Sequence, residues 1–275
     1  MGDTEYRLGN TLLKLENVSL EYDGVPVLKD ISAEVRDIIV PGRVKGQVVG
    51  ILGPSGCGKT SLFHIIAGLH KPTSGRVSVN GVDRPVRAGE VGVMAQSYPL
   101  FEHRTVLGNL MLGAMQKEHD NKVARDKVMA LLKEFELEDK FNLYPAQLSG
   151  GQRQRCAIIQ QILCSEHFLL MDEPFSGLDL LMLEKTCELI CKVADLDELN
   201  TIIVVTHDVT AACSVADHIW LMGRDRDASG TLLPGSRIVK EYNLIERDLC
   251  WQPDIITSPK FTEFVREVKS EFRKL

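Results

Sequence analysis

The stretch Gly53-Pro54-Ser55-Gly56-Cys57-Gly58-Lys59-Thr60 satisfies G-x-x-x-x-G-K-[ST] at every position. Each residue type in that pattern has a task in holding a polyphosphate. Glycines let the backbone curl until successive N–H groups converge on one anion. A helix opening at Lys59 adds its positive N-terminal end. Lys59 is a mobile point charge for the β- and γ-phosphates, and the Thr60 hydroxyl can ligate Mg2+. Ser61 completes the phosphate-facing set. The pattern needs a buried strand before it and a helix after it, and Gln47–Leu52 and Lys59–Gly68 have those compositions. By itself the loop implies a nucleoside triphosphate and names no family.

Further motifs follow in a fixed order. Leu148-Ser149-Gly150-Gly151-Gln152 reads L-S-G-G-Q. Phe168-Leu169-Leu170-Met171-Asp172 is an apolar run ending in a carboxylate, with Glu173 next. Ser176-Gly177-Leu178-Asp179 follows, and Thr206-His207-Asp208 closes another apolar run. Gln96 stands just after Val91–Ala95, and Tyr22 just before Asp23-Gly24. At these residues the sequence resembles the ABC ATPases, whose signature is L-S-G-G-Q. The resemblance runs from about Leu12 to Tyr242.

That resemblance implies ATP and Mg2+ as ligands and ATP hydrolysis as the activity. Asp172, at the end of a buried strand, can hold Mg2+ through its water shell; Thr60 and Gln96 are implied to share the metal. Glu173 is implied as the base that polarises the attacking water; the bland alternative is an ordinary acidic residue at a strand end. His207 is implied to bond the γ-phosphate and to align water with Glu173, although a histidine after an apolar strand is more often structural. Gln96 is implied to contact the metal or the water and to report on a permease. Tyr22 is implied to stack on adenine; taken alone it reads equally as a surface or core tyrosine. Ser149, Gly150, Gly151 and Gln152 open a helix, implied to face the γ-phosphate held by a second subunit. Asp179 is implied to cross the same interface. The expected engine is a head-to-tail dimer, of two copies or of one copy with a paralogue, enclosing two ATP molecules beneath a separate membrane permease.

The elements that must position these residues are legible from period and punctuation. Leu12–Leu20 and Val27–Val35 read as strands either side of a turn at Asp23-Gly24. Val77–Val79 and Val91–Ala95 read as short strands, and Leu107–Leu143 as mostly helical. Helix Ser149–Cys164, strand Phe168–Asp172, helix Leu180–Leu196 and strand Ile202–Thr206 then alternate, which implies a largely parallel sheet. Asp217–Met222 and Ile238–Tyr242 read as late strands. Ser258-Pro259 is a helix start, followed by an apolar stripe at Phe261, Phe264, Val265, Val268 and Phe272. The expected fold class is α/β: a P-loop NTPase core with a mainly parallel sheet, an antiparallel β subdomain and a helical signature subdomain at about 97–165. Residues 1–242 form the expected nucleotide-binding domain and 243–275 a C-terminal extension. Packing on the domain's own surface is the plain reading of the extension's helix; contact with the permease or sister subunit is the sharper one.

The chain has 275 residues, 25% charged and 44% hydrophobic, with a formal net charge of −6. That is the balance of a globular protein, and it disfavours bulk nucleic-acid binding, which needs a basic excess. The opening Met-Gly-Asp-Thr-Glu-Tyr has no basic stretch followed by an apolar core, so no secretory signal is expected. No apolar run approaches the ~18 residues of a membrane helix, so if this protein acts at a membrane, another chain must supply the span. Seven cysteines without framework spacing suggest the reduced thiols of a cytosolic protein; the resemblance implies a peripheral place at the cytoplasmic face of the inner (cell) membrane. Cys187 and Cys191 are spaced to share a metal on a helix, with core packing the better reading. Cys57, beside Lys59 and a helix start, is expected to favour thiolate, so that alkylation blocks ATP binding.

One loop and one signature indicate a single nucleotide-binding domain, and no long heptad region suggests the DNA-repair branch. Asp172–Asp179 (D-E-P-F-S-G-L-D) and Pro99–Asn109 are similar to the nitrate, sulfonate and taurine importer ATPases. That likeness implies import of a small anion, with a solute-binding protein reached through the permease. The alternatives are an exporter or lipid-trafficking ATPase, or a soluble ATPase of iron–sulfur cluster assembly. Asp37–Lys45 reads as an insertion relative to the family, and the tail from Asn243 matches nothing in it.

Overall fold

The computed structural model describes residues 6–42, 44–94, 98–165, 167–197, 199–251 and 255–275. In chain order the first elements are β1 (Arg7–Tyr22), β2 (Val25–Ile39), β3 (Gln47–Leu52), α1 (Lys59–Ile66), β4 (Ser74–Val79) and β5 (Gly92–Met94). The middle holds α2 (Val106–Ala114), α3 (Asn121–Glu134), α4 (Gly150–Cys164), β6 (Phe168–Asp172) and α5 (Leu180–Ala194). Then come β7 (Thr201–Thr206), α6 (Val209–Val215), β8 (His218–Arg226), β9 (Leu232–Asn243) and α7 (Pro259–Phe272).

All nine strands join one sheet in the order β4-β1-β2-β9-β8-β3-β7-β6-β5. The run β8-β3-β7-β6-β5 is parallel, whereas β1 pairs antiparallel with β2 and β4, and β8 with β9. Every residue of β3 and β7 is buried, as expected of parallel strands covered on both faces. Successive side chains of β7 go to opposite faces. Ile202 and Val204 join the core under α2, α4 and α5, and Ile203 and Val205 join the core around α1. The expected α/β architecture is therefore present, with the antiparallel strands continuing the main sheet through a parallel bridge between Leu28 and Ser236.

Two segments gain definition. Part of Asp37–Lys45, the segment read as an insertion, continues β2 through Ile39, with Ile39 opposite Arg7 and Ile38 opposite Leu8. Ile38 and Val40 are buried, so apolar alternation carries the strand past the expected end before the Pro41–Gly42 turn. The stripe on α7 packs inward. Phe261, Phe264, Val265 and Val268 are buried with Cys213, Leu221 and Tyr242. The segment before α7 is fastened too. Trp251 Nε1 donates to Asp217 Oδ1 at 2.7 Å, and the other oxygen of Asp217 accepts from Val48 N at 2.8 Å.

Candidate functional site

The parallel strands β3, β7 and β6 are neighbours, with Leu52 level with Thr206 and Asp172 level with Val205. Their carboxyl ends therefore open on one crevice, where open α/β sheets hold ligands. The turn after β3 carries Gly53–Gly58, β6 ends at Asp172 with Glu173 next, and β7 ends at Thr206 with His207 next.

The loop's shape depends on its glycines. Gly56 and Gly58 have φ of 77° and 85°, in the region that side chains disfavour. A Cβ on Gly58 would lie 2.9 Å from Leu28 Cδ2, and one on Gly53 only 2.7 Å from the Met222 carbonyl. Lys59 is 7% exposed. Its ammonium donates to Gly53 O at 2.8 Å and Pro54 O at 3.1 Å. No carboxylate pairs with Lys59 among the described residues. A buried ammonium resting on its own loop's carbonyls is a charge that an entering anion would complement.

Asp172 is half-buried, and burial together with neighbouring Glu173 raises its carboxyl pKa; His64 and Lys59 oppose the rise. Thr60 is exposed on the first turn of α1. One hydroxyl and one carboxylate are the oxygen donors a hard cation takes when phosphates and waters complete its shell, so the residues fit Mg2+. Among the described residues, no cluster of three or more His, Cys, Asp or Glu could hold a metal. Cys187 is buried in the core and Cys191 packs partly buried against it, their pKa values pushed up to about 12 and about 11 by desolvation.

Glu173 sits at φ 49°, a rare conformation for a non-glycine residue that is characteristic of functional turns. Its N–H donates to Val205 O at 2.8 Å. Its two carboxylate oxygens accept from Thr206 Oγ1 at 3.1 Å and from His207 Nδ1 at 2.9 Å. A carboxylate only accepts, so Nδ1 carries a hydrogen and Nε2 remains for another partner. Thr206 was legible only as a strand end; its hydroxyl also accepts from Asp208 N at 3.1 Å, which locks the turn that carries His207.

Ser149 caps α4 in a capping box. Gln152 N donates to Ser149 Oγ at 3.3 Å, and Ser149 N donates to Gln152 Oε1 at 2.9 Å. Asp179 caps α5 through Met182 N at 2.9 Å. Ser149, Gly150, Gly151 and Gln152 line a cavity of about 790 Å³ with Met182 of α5, and none of Gly53–Thr60 lines it. The signature residues and the phosphate loop thus do not share this cavity in one chain. Tyr22 ends β1 half-exposed, its ring 5.8 Å from that of His70. Gln96 lies outside the described residues.

Cys57 departs from expectation. It is 4% exposed, and burial raises its thiol pKa despite the opposing charges of Lys59 and Arg224. Desolvation of the thiolate outweighs the helix start and the lysine, so the folded loop protects this thiol rather than activating it.

Residues 43–176 match the ABC transporter family. The sulfate/thiosulfate import ATP-binding protein CysA of Synechocystis sp. is 37% identical over 215 residues, 77% of this chain and 58% of the relative. The spermidine/putrescine import ATP-binding protein PotA of Mycoplasma capricolum is 37% identical over 218 residues, 78% and 60% of the two chains. The chain thus spans about three-fifths of the length of these curated relatives. Among solved structures, cbiO1 from Clostridium perfringens, part of the ABC transporter complex cbiONQ, aligns with a TM-score of 0.71 at 25% identity. That alignment covers 87% of this chain and 91% of the other. These relatives are named for sulfate, thiosulfate and polyamines, not for nitrate, sulfonate or taurine. Among the described residues, no helix is long and apolar enough to cross a membrane.

Proposed function

We propose, from the match of residues 43–176 to the ABC transporter family, that this chain is the ATP-hydrolysing subunit of a solute importer. The observation that carries the reading is the Glu173–His207 contact of 2.9 Å beside Lys59 and its loop. ATP is the substrate. Lys59 leaves its loop carbonyls for the β- and γ-phosphates, and the loop N–H groups and the start of α1 hold the same anion. Tyr22 stacks on the adenine. Glu173 orients the attacking water and accepts its proton, while His207, held through Nδ1, offers Nε2 to the γ-phosphate. Mg2+, held by Thr60 and Asp172 with Gln96, would neutralise phosphate charge. Catalysis is then mainly positioning and charge stabilisation.

The signature group completes the site only in trans. The start of α4 at Ser149–Gln152 faces the γ-phosphate of a second subunit, with Asp179 at the same interface. Two ATP molecules close a head-to-tail dimer at the cytoplasmic face of the membrane, and hydrolysis opens it under a permease. The cargo is a small anion of the sulfate class, within which nitrate, sulfonate and taurine are the near alternatives; the polyamine relative favours a cationic cargo as the second reading. The test is ATP turnover of the purified chain with Mg2+, with its mass followed in ATP, for wild type and Glu173→Gln. Wild-type turnover with a mutant arrested as an ATP-bound dimer supports the reading; an inert wild type that neither binds ATP nor dimerises with its co-purified partners sinks it. ATPase stimulation of the permease complex by sulfate or by spermidine decides the cargo class.

A further inference from the structure

The phosphate loop receives a contact from outside the motif. Arg224, on β8, donates from Nη2 to the Gly56 carbonyl at 3.2 Å. The Gly56 carbonyl and the Cys57 N–H belong to one planar trans peptide, so they point in opposite directions. The Cys57 N–H points across the loop and donates to Pro54 O at 3.3 Å, the same oxygen that accepts from Lys59 Nζ at 3.1 Å. In the ligand-free arrangement Pro54 O therefore stands where both donors converge. A cation on the outer carbonyl fixes the tilt of that peptide and polarises it, which strengthens the N–H on its inner side. The same strand supports the loop's other end, since Met222 O packs against Gly53 so closely that a Cβ would lie 2.7 Å away. Register on β8 is set by pairing with β9, Arg224 opposite Ser236.

We propose that Arg224 is a positioning residue for the nucleotide phosphates: it holds the Gly56–Cys57 peptide so that the Cys57 N–H, which rests on Pro54 O in the ligand-free loop, passes to the anion when the anion enters. The inference rests on the reading of this loop as the ATP site. Arg224 acts through the backbone and donates nothing to the reacting atoms. Its removal therefore weakens ATP binding and leaves turnover at saturation nearly intact. Lysine keeps a charge that can reach the carbonyl, without the planar fork, so it restores part of the function.

Two measurements on wild type, Arg224→Ala and Arg224→Lys test this. The first is the alkylation rate of Cys57 in nucleotide-free protein, read by peptide mass spectrometry. A loosened loop exposes this buried thiol, and the exposure outweighs the loss of the Arg224 charge that favours the thiolate, so Arg224→Ala should react about fivefold to tenfold faster, the scale of one exposed charge-assisted hydrogen bond, with Arg224→Lys between. The second is KM for ATP against kcat. Arg224→Ala should raise KM by a similar factor with kcat within twofold. Unchanged Cys57 reactivity and unchanged KM overturn the proposal, as does a fall in kcat alone. If no variant, wild type included, binds ATP while Cys57 still reacts faster in Arg224→Ala, the loop-holding role stands and the nucleotide reading fails.

Discussion

Glu173 Oε1 and His207 Nδ1 meet at 2.9 Å although 34 residues separate them in the chain. The contact exists because β6 and β7 are parallel neighbours whose ends coincide. The second oxygen of Glu173 is held by Thr206, the last residue of β7. Both carboxylate oxygens are thus fixed before any ligand arrives, which is the preorganisation that proton transfer at a bound water requires.

Glu173→Gln keeps the shape but loses the proposed base. Its turnover is expected to fall roughly 100- to 10,000-fold, the usual span for general base catalysis, with ATP affinity within a few-fold of wild type. His207→Ala should lose a comparable factor. Single-turnover hydrolysis alongside nucleotide binding separates the two effects.

Gly58→Ala places a methyl group at φ 85° and 2.9 Å from Leu28 Cδ2. Left-handed strain alone costs about 1–2 kcal/mol. Thermal unfolding should register that loss, and ATP binding should fall more steeply than stability because the loop itself is deformed. Gly56→Ala has similar φ but no neighbour within 4 Å, so its cost should be strain alone.

Ser149→Ala removes one half of the capping box on α4. Chemical denaturation should show a loss of about 1 kcal/mol. ATP-dependent dimerisation should weaken as well, whereas ATP binding to the monomer, which uses the other group of residues, should not. Equal loss of monomer binding would argue against the two-group arrangement.

Asp217 is buried, and its carboxyl pKa is pushed up to about 6 by burial, against the pull of Lys45 and the hydrogen bonds from Val48 and Trp251. A carboxyl whose folded pKa lies above its unfolded value binds more protons when folded. Its contribution therefore favours the folded state at low pH and declines as pH rises from about 4 to about 6, by at most about 1.4 kcal/mol per pH unit. Trp251→Phe deletes one donor to the carboxylate, so it should destabilise the protein more at pH 8 than at pH 4. Denaturant titrations at the two pH values check the sign.

Phe264 lies buried against Tyr242, ring centroids 5.5 Å apart. Phe264→Ala should cost about 3–5 kcal/mol, measurable as a lower unfolding midpoint. Deleting the whole of α7 would bare the apolar face at Cys213, Leu221 and Tyr242 and should lower solubility before any partner is involved. Substitutions on the exposed face, such as Glu263→Ala, test partner contact without that loss.

The candidate site was legible wherever it depends on residue types at fixed local spacing. The phosphate loop needs glycines and a lysine within eight consecutive positions, and β6 and β7 announce themselves as apolar runs because parallel strands are covered on both faces. The start of α7 at Ser258-Pro259 was equally plain, since Ser258 accepts from Phe261 N at 3.1 Å as an N-cap should.

What depends on distance in space had to wait for the tertiary structure. Cys57 has an activating neighbourhood in sequence, yet the sheet and Gly53 bury its thiol, and desolvation outweighs the charges beside it. Nothing local in Asp37–Lys45 shows that Ile38 and Ile39 pair with Leu8 and Arg7. Trp251 and Asp217, and Arg224 and Gly56, are 34 and 168 residues apart, and no periodicity joins such pairs. Sequence patterns report which face of an element is apolar; strand order decides which polar groups come within hydrogen-bond reach, because that reach is about 3 Å while the sheet brings together segments from the whole chain.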